Sequence, residues 1–376
     1  MHDYWLNNRA RLLTLANDNP LPAYVYDLDI ITRKKSFLDE VFAGMPYRIH
    51  YAMKANENKR ILQHIKQLGL GVDAVSPLEI ERALAVGFKP GDIIFTPSCP
   101  SEDEIKFAFD RNIHVHLGAV EYLDYILKHY PHKTVGLRIN PANSIRGNQK
   151  IATAHKHSKF GIPFNQWEQI ETYRQKGLQI DSLHIHTGSD VKTWQDLARS
   201  ADVVFDFAKK FENLKYLDLG SGFKVKYSDN DKEIDLKAYA GYLKKLLNNF
   251  SYPVQLKFEP GKFLVSEAGV LLVKVNIVKQ GFERKFAGVN SGFHHLIRPM
   301  YYEAYHEIIN LTNYGAPKEK YDVVGQLCEE DTFAYDRNIC QIRTGDILMI
   351  MNAGAYGYSM HSEYNLREKP EEILLP

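Results

Sequence analysis

Cysteine is scarce in this chain of 376 residues, which has only Cys99, Cys328 and Cys340. An odd and sparse set does not form a disulfide framework, and it fits a reducing compartment. The opening residues, MHDYWLNNRARLL, contain no apolar run typical of a secretion signal. No later apolar stretch is long enough to cross a bilayer. We therefore expect a cytoplasmic protein with no membrane partner.

The chain also lacks a surplus of either charge. Its 47 basic and 46 acidic residues give a net charge of +1, and the two signs are interspersed. A nucleic-acid-binding surface usually needs a basic surplus, so we expect no nucleic-acid partner. Low-complexity tracts and short repeats are absent as well. With 44% hydrophobic and 25% charged residues, the composition is that of a globular protein, and the length suits two domains.

What is present is an alternation of strand-like and helix-like runs between residues 24 and 261. About eight such units over about 240 residues predict an α/β fold, a (β/α)₈ barrel of the TIM type. The polar insertion at 141–163 is predicted to be a loop over the barrel mouth. The predicted strands are 47–54, 71–76, 92–97, 113–118, 134–140, 182–188, 216–222 and 254–260.

The pattern changes after residue 262, where apolar, β-branched runs such as GVLLVKVNIVKQ and DILMIMNAG are separated by polar turns. This predicts a C-terminal antiparallel β domain. We expect the barrel domain to cover 25–261. Residues 1–24 and 262–376 would form a domain resembling a β-sandwich or β-barrel.

Polar residues stand at the predicted strand ends. In such a barrel the active site lies at the C-terminal ends of the strands, so these side chains are expected to converge on one mouth. A lysine, a histidine, a glycine-rich turn and a carboxylate together indicate a catalytic site. The residues are Lys54, Asp73, Arg138, His186, Gly220, Ser221, Gly222 and Glu259.

Each of these residues also has a simpler explanation. Lys54 could be a surface lysine, and His186 a core histidine with a satisfied ring. The turn Gly220-Ser221-Gly222 could connect a strand to a helix without binding phosphate, because a lone GxG is weak evidence. Glu259-Pro260-Gly261 could be only a turn, and Cys328 could be a small buried apolar residue.

A set of motifs, spread in order over nearly the whole chain, resembles the motifs of a known enzyme family. The motifs are YAMKAN (51–56), HSKFGI (157–162), HIHTGS (184–189), LDLGSGF (217–223), EPG (259–261), LIRPMYYEAYH (296–306), GQLCEED (325–331) and NAGAYGYSM (352–360). Together they resemble the fold-type III, pyridoxal-phosphate-dependent decarboxylases with an alanine-racemase-like barrel. Within that group the chain is most similar to the diaminopimelate decarboxylases.

The resemblance implies roles for the barrel residues. Lys54 would hold pyridoxal 5'-phosphate as a Schiff base, and Glu259 would keep the pyridine nitrogen protonated. His186 would stack on the ring. The phosphate would be held by Ser189, the turn Gly220–Gly222 and Tyr356, while Asp73 and Arg138 complete the predicted cofactor-binding set. The predicted set includes no metal.

The resemblance also implies roles for the C-terminal residues. Cys328 would be the proton donor, since an ordinary thiol is mostly protonated at neutral pH. In the family this cysteine and the tyrosine equivalent to Tyr356 reach the site from a second subunit, which implies a head-to-tail homodimer with shared active sites. Arg298, Tyr302 and Glu329 would bind the amino-acid substrate, together with Lys262 and Tyr356.

The implied reaction is decarboxylation of meso-2,6-diaminopimelate to L-lysine and CO₂. Two departures keep a sister decarboxylase, acting on another amino acid, as an alternative. Lys262 stands where the family usually has arginine. Lysine keeps the positive charge but lacks the planar fork of the guanidinium group. The segment after Cys328 is one residue shorter than the usual pattern. A racemase would need a tyrosine base in place of Cys328, and a non-catalytic relative would have lost Lys54 or Cys328.

Overall fold

The computed structural model describes residues 1–140, 157–228 and 231–375. Within it the chain forms two compact units. One consists of Lys34–Lys224 and Lys232–Gly261, and the other of Met1–Arg33, Val225–Asp231 and Lys262–Pro376. Residues 141–156 of the predicted mouth loop lie outside the described part. No helix in the described ranges is both long and apolar enough to cross a bilayer.

The strands are numbered along the chain. They are β1 (Ala23–Tyr26), β2 (Tyr47–Ala52), β3 (Gly71–Ala74), β4 (Ile93–Phe95), β5 (His114–Leu117), β6 (Thr134–Asn140), β7 (Ile162–Pro163), β8 (Gln179–His184), β9 (Tyr216–Asp218), β10 (Gln255–Phe258), β11 (Gly269–Gln280), β12 (Lys285–Val289), β13 (Ile308–Asn310), β14 (Lys318–Val324), β15 (Thr332–Cys340), β16 (Ile347–Ile350) and β17 (Glu371–Leu374).

The α-helices are numbered in the same way. They are α1 (His2–Asn7), α2 (Arg9–Asp18), α3 (Leu28–Val41), α4 (Lys59–Gln67), α5 (Pro77–Val86), α6 (Glu102–Asp110), α7 (Tyr122–His129), α8 (Trp167–Gln175), α9 (Trp194–Ala208), α10 (Leu236–Asn248), α11 (Lys262–Val265) and α12 (Arg298–Tyr302). Short 3₁₀ turns lie at Met53–Ala55, Pro90–Asp92, Phe164–Gln166, Tyr358–Met360 and Tyr364–Leu366.

The first unit is a closed parallel barrel, which confirms the predicted fold class. Its strands pair in the order β2-β3-β4-β5-β6-β8-β9-β10, and β10 pairs with β2 to close the ring. Most strand residues are buried, because helices cover a parallel sheet from outside while side chains fill its interior. The stacked rings of Phe42 and Phe258, 4.4 Å between centroids, are part of this core.

Local sequence signals explain where the barrel helices begin and end. The Ser76 side chain accepts from the Glu79 amide at the start of α5, and Gly87 ends that helix in the left-handed region at φ +94°. Ser101 and Glu104 form a reciprocal capping box at the start of α6. The caps at Ser76 and Ser101 therefore set where α5 and α6 begin, and Gly87 sets where α5 ends before β4.

The second unit contains a mostly antiparallel β-sheet, as predicted. Its strands pair in the order β13-β16-β11-β12-β14-β15, with β1 joined to β11 and β17. Two pairings, β12 with β14 and β1 with β17, are parallel. They join strands that are distant along the chain, which local alternation of apolar residues does not reveal. The N-terminal helix α1 belongs to this unit, where buried Trp5 donates its Nε1–H to the Glu267 carbonyl at 3.1 Å.

Candidate active site

Lys54 lies at the barrel mouth, in the 3₁₀ turn that follows β2. Its Nζ is 2.6 Å from Oδ2 of Asp73, which belongs to the neighbouring strand β3. The Asp73 side chain is 1% exposed, whereas that of Lys54 is 38% exposed. A buried carboxylate therefore fixes an amine that still reaches solvent, which differs from an unconstrained surface lysine.

Glu259 follows β10 and is buried. Its amide donates to the Gly220 carbonyl at 2.6 Å, and its Oε2 lies 3.0 Å from Nε2 of His184. Oε1 has no hydrogen-bond partner among the described residues. Burial raises the pKa of Glu259 to about 8, repulsion from Asp73 adds to this, and Lys54 and Arg138 oppose it.

The turn after β9 needs its glycines. Gly220 has φ +59°, and a Cβ there would lie 2.6 Å from the Ile185 carbonyl oxygen. Gly222 has φ +111°, and a Cβ would lie 2.7 Å from a methyl carbon of Val191. Larger residues would be strained and would also meet neighbouring atoms. Successive backbone N–H groups in a turn of this kind can bind a phosphate.

His186 and Ser189 follow β8 and border this turn. The Ser221 amide donates to Nδ1 of His186 at 3.4 Å. Burial lowers the pKa of His186 well below its ordinary value, and the charges of Arg138 and Lys54 lower it further, so the ring is neutral. Ser189 is half-buried, two residues before Val191, whose amide donates to the Gly222 carbonyl at 3.0 Å.

Arg138 belongs to β6 and lines a small cavity at the barrel mouth. Its guanidinium carbon lies 4.5 Å from the ring centroid of Phe160, in the motif HSKFGI. Lys159 and Tyr122 also line this cavity. The structure therefore brings all the predicted barrel residues to the C-terminal ends of the strands.

Three of the predicted C-terminal residues gather around one tyrosine of the second unit. Arg298 Nη2 donates to the Tyr227 hydroxyl at 3.3 Å, and the Arg298 guanidinium carbon lies 5.4 Å from the centroid of that ring. Lys262 Nζ lies 5.9 Å from the same centroid, and the guanidinium carbon lies 5.8 Å from the Tyr302 ring. Arg298 is buried, and its Nε has no partner within the described chain.

Tyr356 lies in a tight turn of the same unit, in the left-handed region at φ +54°. The amide of Gly354 donates to the Ser266 carbonyl at 3.0 Å, and that of Ala353 donates to the Gly269 carbonyl at 2.8 Å. These bonds hold the turn against the residues that follow α11, the helix that begins at Lys262.

Cys328 and Glu329 lie on an exposed segment of this unit. The Cys328 amide donates to Oδ1 of Asn365 at 3.2 Å, and the Tyr364 hydroxyl donates to Oε1 of Glu329 at 2.8 Å. These hydrogen bonds of Cys328 and Glu329 therefore go to Asn365 and Tyr364, and not to Arg298 or Tyr302. Cys328 is not the small buried apolar residue that was its simpler explanation.

Sequence reasoning missed three residues of these clusters. His184 and Asp218 lie inside the quoted motifs HIHTGS and LDLGSGF, so their place beside His186 and Gly220 was an available signal. Tyr227 follows the glycine turn by five residues and carried no signal of its own.

Comparison with known proteins identifies the family to which the chain belongs. Residues 28–266 match the family model described as "Pyridoxal-dependent decarboxylase, pyridoxal binding domain". The chain belongs to this family. It is a pyridoxal-phosphate-dependent decarboxylase, and its substrate is an amino acid.

The curated relatives narrow the family further. Diaminopimelate decarboxylase of Methanothermobacter thermautotrophicus is 32% identical, covering 99% of this chain and 92% of that protein. The Escherichia coli K12 enzyme of the same name is 33% identical, covering 96% and 90%. These values place the chain in the diaminopimelate decarboxylase family.

Similar solved structures agree with this family assignment. The Helicobacter pylori diaminopimelate decarboxylase complexed with L-lysine has a TM-score of 0.89 at 31% identity, covering 97% of this chain and 94% of that one. A lysine/ornithine decarboxylase of Vibrio vulnificus, complexed with putrescine, has a TM-score of 0.86 at 17% identity, covering 98% of each chain. The second likeness shows a shared fold only.

The raised pKa of Glu259 gives a pH-dependent prediction for the cofactor-free protein. The folded state disfavours ionised Glu259, so its contribution to stability is lost as pH rises from about 5 towards 8. Glu259→Gln cannot ionise, so its melting temperature relative to wild type should increase over this range. The corresponding difference in the free energy of unfolding should be about 1–3 kcal/mol, since one pKa unit corresponds to about 1.4 kcal/mol.

Calorimetry at several pH values measures this difference. The exposed residue Glu283 supplies the control, because Glu283→Gln makes the same chemical change outside a buried site. A melting-temperature difference for Glu259→Gln that stays constant between these pH values would contradict the burial argument.

Proposed function

We propose that the protein converts meso-2,6-diaminopimelate to L-lysine and CO₂. The buried guanidinium of Arg298 is the observation that supports this choice of substrate. Within the described chain it donates a hydrogen bond to a tyrosine hydroxyl and not to a carboxylate. A carboxylate at the far end of the substrate would supply the missing counter-charge. The names of the relatives, diaminopimelate decarboxylases matched over nearly their full length, support the same substrate.

The barrel residues fit pyridoxal phosphate. The unpaired Oε1 of Glu259 suits a protonated pyridine nitrogen, and the glycine turn has a backbone conformation in which a Cβ would clash with its neighbours. When bound, the cofactor supplies an electron sink for the electron pair left by departing CO₂. Lys54 would hold it covalently through Nζ, with Asp73 orienting that amine.

The remaining barrel residues have positioning roles in this proposal. Neutral His186 would lie against the cofactor ring without adding charge. Ser189 and the turn Gly220–Gly222 would hold the phosphate, together with Tyr356. Arg138 would add positive charge at the mouth, where Lys54 and Arg138 already counter the charge of Glu259.

Cys328 would deliver the proton that replaces the lost carboxylate. Its exposure suits a thiol that completes a site formed with another chain.

We propose a head-to-tail homodimer in which the barrel of one chain and the β domain of the other share each active site. We also propose that the barrel domain covers 25–261 and that 1–24 and 262–376 form the β domain. A cytoplasmic location is part of the same proposal, because the free cysteines fit a reducing compartment.

Lys262 supports the alternative that the enzyme acts on a different amino acid. It is buried near Tyr227, and a lysine there binds a carboxylate as a point charge and not through a planar fork. A sister decarboxylase with another substrate is therefore the second candidate. The substrate assay below distinguishes the two.

The decisive assay compares CO₂ release from meso-diaminopimelate, lysine, ornithine and arginine. We expect turnover of meso-diaminopimelate with L-lysine as product. Lys54→Ala should reduce the rate by about a thousandfold or more, because the cofactor loses its attachment. The exposed residue Lys106, paired with Asp110, supplies the matched control, and Lys106→Ala should retain activity. Turnover of only another substrate would favour the sister decarboxylase.

Shared active sites predict complementation between two inactive variants. Lys54→Ala and Cys328→Ala should each be nearly inactive alone. When the subunits are mixed and allowed to exchange, half of the dimers carry one intact site, so activity should recover to about a quarter of wild type.

Cys340→Ala is the control for loss of a cysteine and should remain active. Recovery no greater than the sum of the separate variants would contradict shared sites, while leaving the decarboxylation itself untouched.

A further inference from the structure

A buried polar cluster inside the barrel contacts Glu259 and has no role in the function proposed above. His184 is the last residue of β8, is 1% exposed, and lies opposite Asp218 of β9 in the strand register. Its Nε2 is 3.0 Å from Oε2 of Glu259. The inference drawn from this contact rests on the proposed function, because it concerns how Glu259 meets the cofactor.

The direction of this hydrogen bond follows from burial. Burial lowers the pKa of His184 to about 4, so the imidazole is neutral at pH 7 and carries one N–H. When Glu259 is ionised, as it would be opposite a protonated pyridine nitrogen, its carboxylate only accepts, so that hydrogen lies on Nε2. Nδ1 is then unprotonated, and it has no hydrogen-bond partner among the described residues.

The ring of His184 is itself held in place. His116 stacks on it, with centroids 5.1 Å apart and planes at 23°. His116 Nδ1 is hydrogen-bonded to Thr96 at 3.1 Å, and its Nε2 to Ser182 at 3.3 Å. These bonds fix the plane against which His184 lies, so the imidazole presents its Nε2–H to Glu259 in one orientation.

A metal ion is a less suitable explanation of the same residues. One ligand atom each of His116, His184 and Glu259 lies within 4.8 Å of the others. However, both ring nitrogens of His116 already have hydroxyl partners, and His184 Nε2 already donates to Glu259. A metal would have to break these bonds, so the contacts favour a hydrogen-bonded network.

The network leaves one oxygen of Glu259 available. Oε2 accepts from His184, the Glu259 amide is fixed to Gly220, and Oε1 has no partner in the described ranges. A neutral imidazole donates a hydrogen without cancelling the negative charge of the carboxylate. That charge stays available for a cation, which a protonated pyridine nitrogen would provide.

We propose that His184 is a positioning residue, which holds Glu259 through Nε2–H so that Oε1 accepts from the pyridinium N–H of the cofactor. His184 acts only through Glu259 and touches neither cofactor nor substrate. Its loss should therefore weaken cofactor binding and lower kcat, with little effect on the KM of the amino acid.

The test uses three variants at His184 and measures the dissociation constant of pyridoxal phosphate. His184→Leu removes the donor and should weaken binding by about 10- to 100-fold, the usual range for a hydrogen bond to a charged group. His184→Gln keeps an N–H at similar reach and should stay within about threefold of wild type. His184→Asn is too short to reach Glu259 and should behave like the leucine variant.

Two controls separate positioning from general destabilisation. His50 is another buried histidine of the barrel, in β2, and His50→Leu should leave the cofactor dissociation constant unchanged. In a Glu259→Gln background, His184→Asn should weaken binding no further, because the contact it breaks no longer involves a carboxylate.

The outcomes also distinguish this inference from the proposed function. In one outcome, the wild-type protein binds the cofactor and is active, but the His184→Asn and His184→Gln variants bind the cofactor equally well. This would overturn the role of His184 and leave the decarboxylase function standing. A wild-type protein that does not bind pyridoxal phosphate would instead overturn the proposed function. If His184→Leu does not fold, the comparison of Asn with Gln still decides the matter.

Discussion

The buried carboxyl of Glu259 is the constraint on which the barrel site depends. A carboxylate inside a protein is costly unless hydrogen bonds and opposite charges surround it. Here His184 supplies the hydrogen bond, and Lys54 and Arg138 supply positive charge, yet Oε1 has no partner among the described residues. The backbone bond to Gly220 ties the same residue to the glycine turn. A fold that retains such a group is suited to a cationic ligand at that position.

The second unit has the opposite requirement. Arg298 is a buried cation whose described hydrogen bond goes to a tyrosine hydroxyl, and Lys262 lies near the same ring. Anionic groups of a substrate would satisfy these side chains. A substrate with a carboxylate at its far end would satisfy this requirement, which a simple basic amino acid would not.

The barrel could be predicted from sequence because parallel strands appear as short apolar runs, each ended by a polar residue. Lys54, Asp73, Arg138 and Glu259 were found by that rule, and the structure brings them to one mouth. The predicted strands were too long at this end, since β2 stops at Ala52 and β8 at His184. The motif residues lie in the turns that follow, where the backbone leaves the sheet.

Other features depend on contacts between distant segments, which local patterns do not encode. The parallel pairing of β12 with β14 is one example. His184 is another, because a buried histidine in a strand looks the same whether it fills space or orients a carboxylate. Only its 3.0 Å contact with Glu259, 75 residues further along the chain, reveals the difference. Tyr227 was missed for the same reason.

The most direct test of the account identifies the residue that carries the cofactor. Borohydride reduction fixes bound pyridoxal phosphate to the lysine that holds it, and mass spectrometry of the digested protein locates the modified peptide. The account predicts a single adduct, on the peptide that contains Lys54. An adduct on another lysine, or none in protein saturated with cofactor, would contradict it.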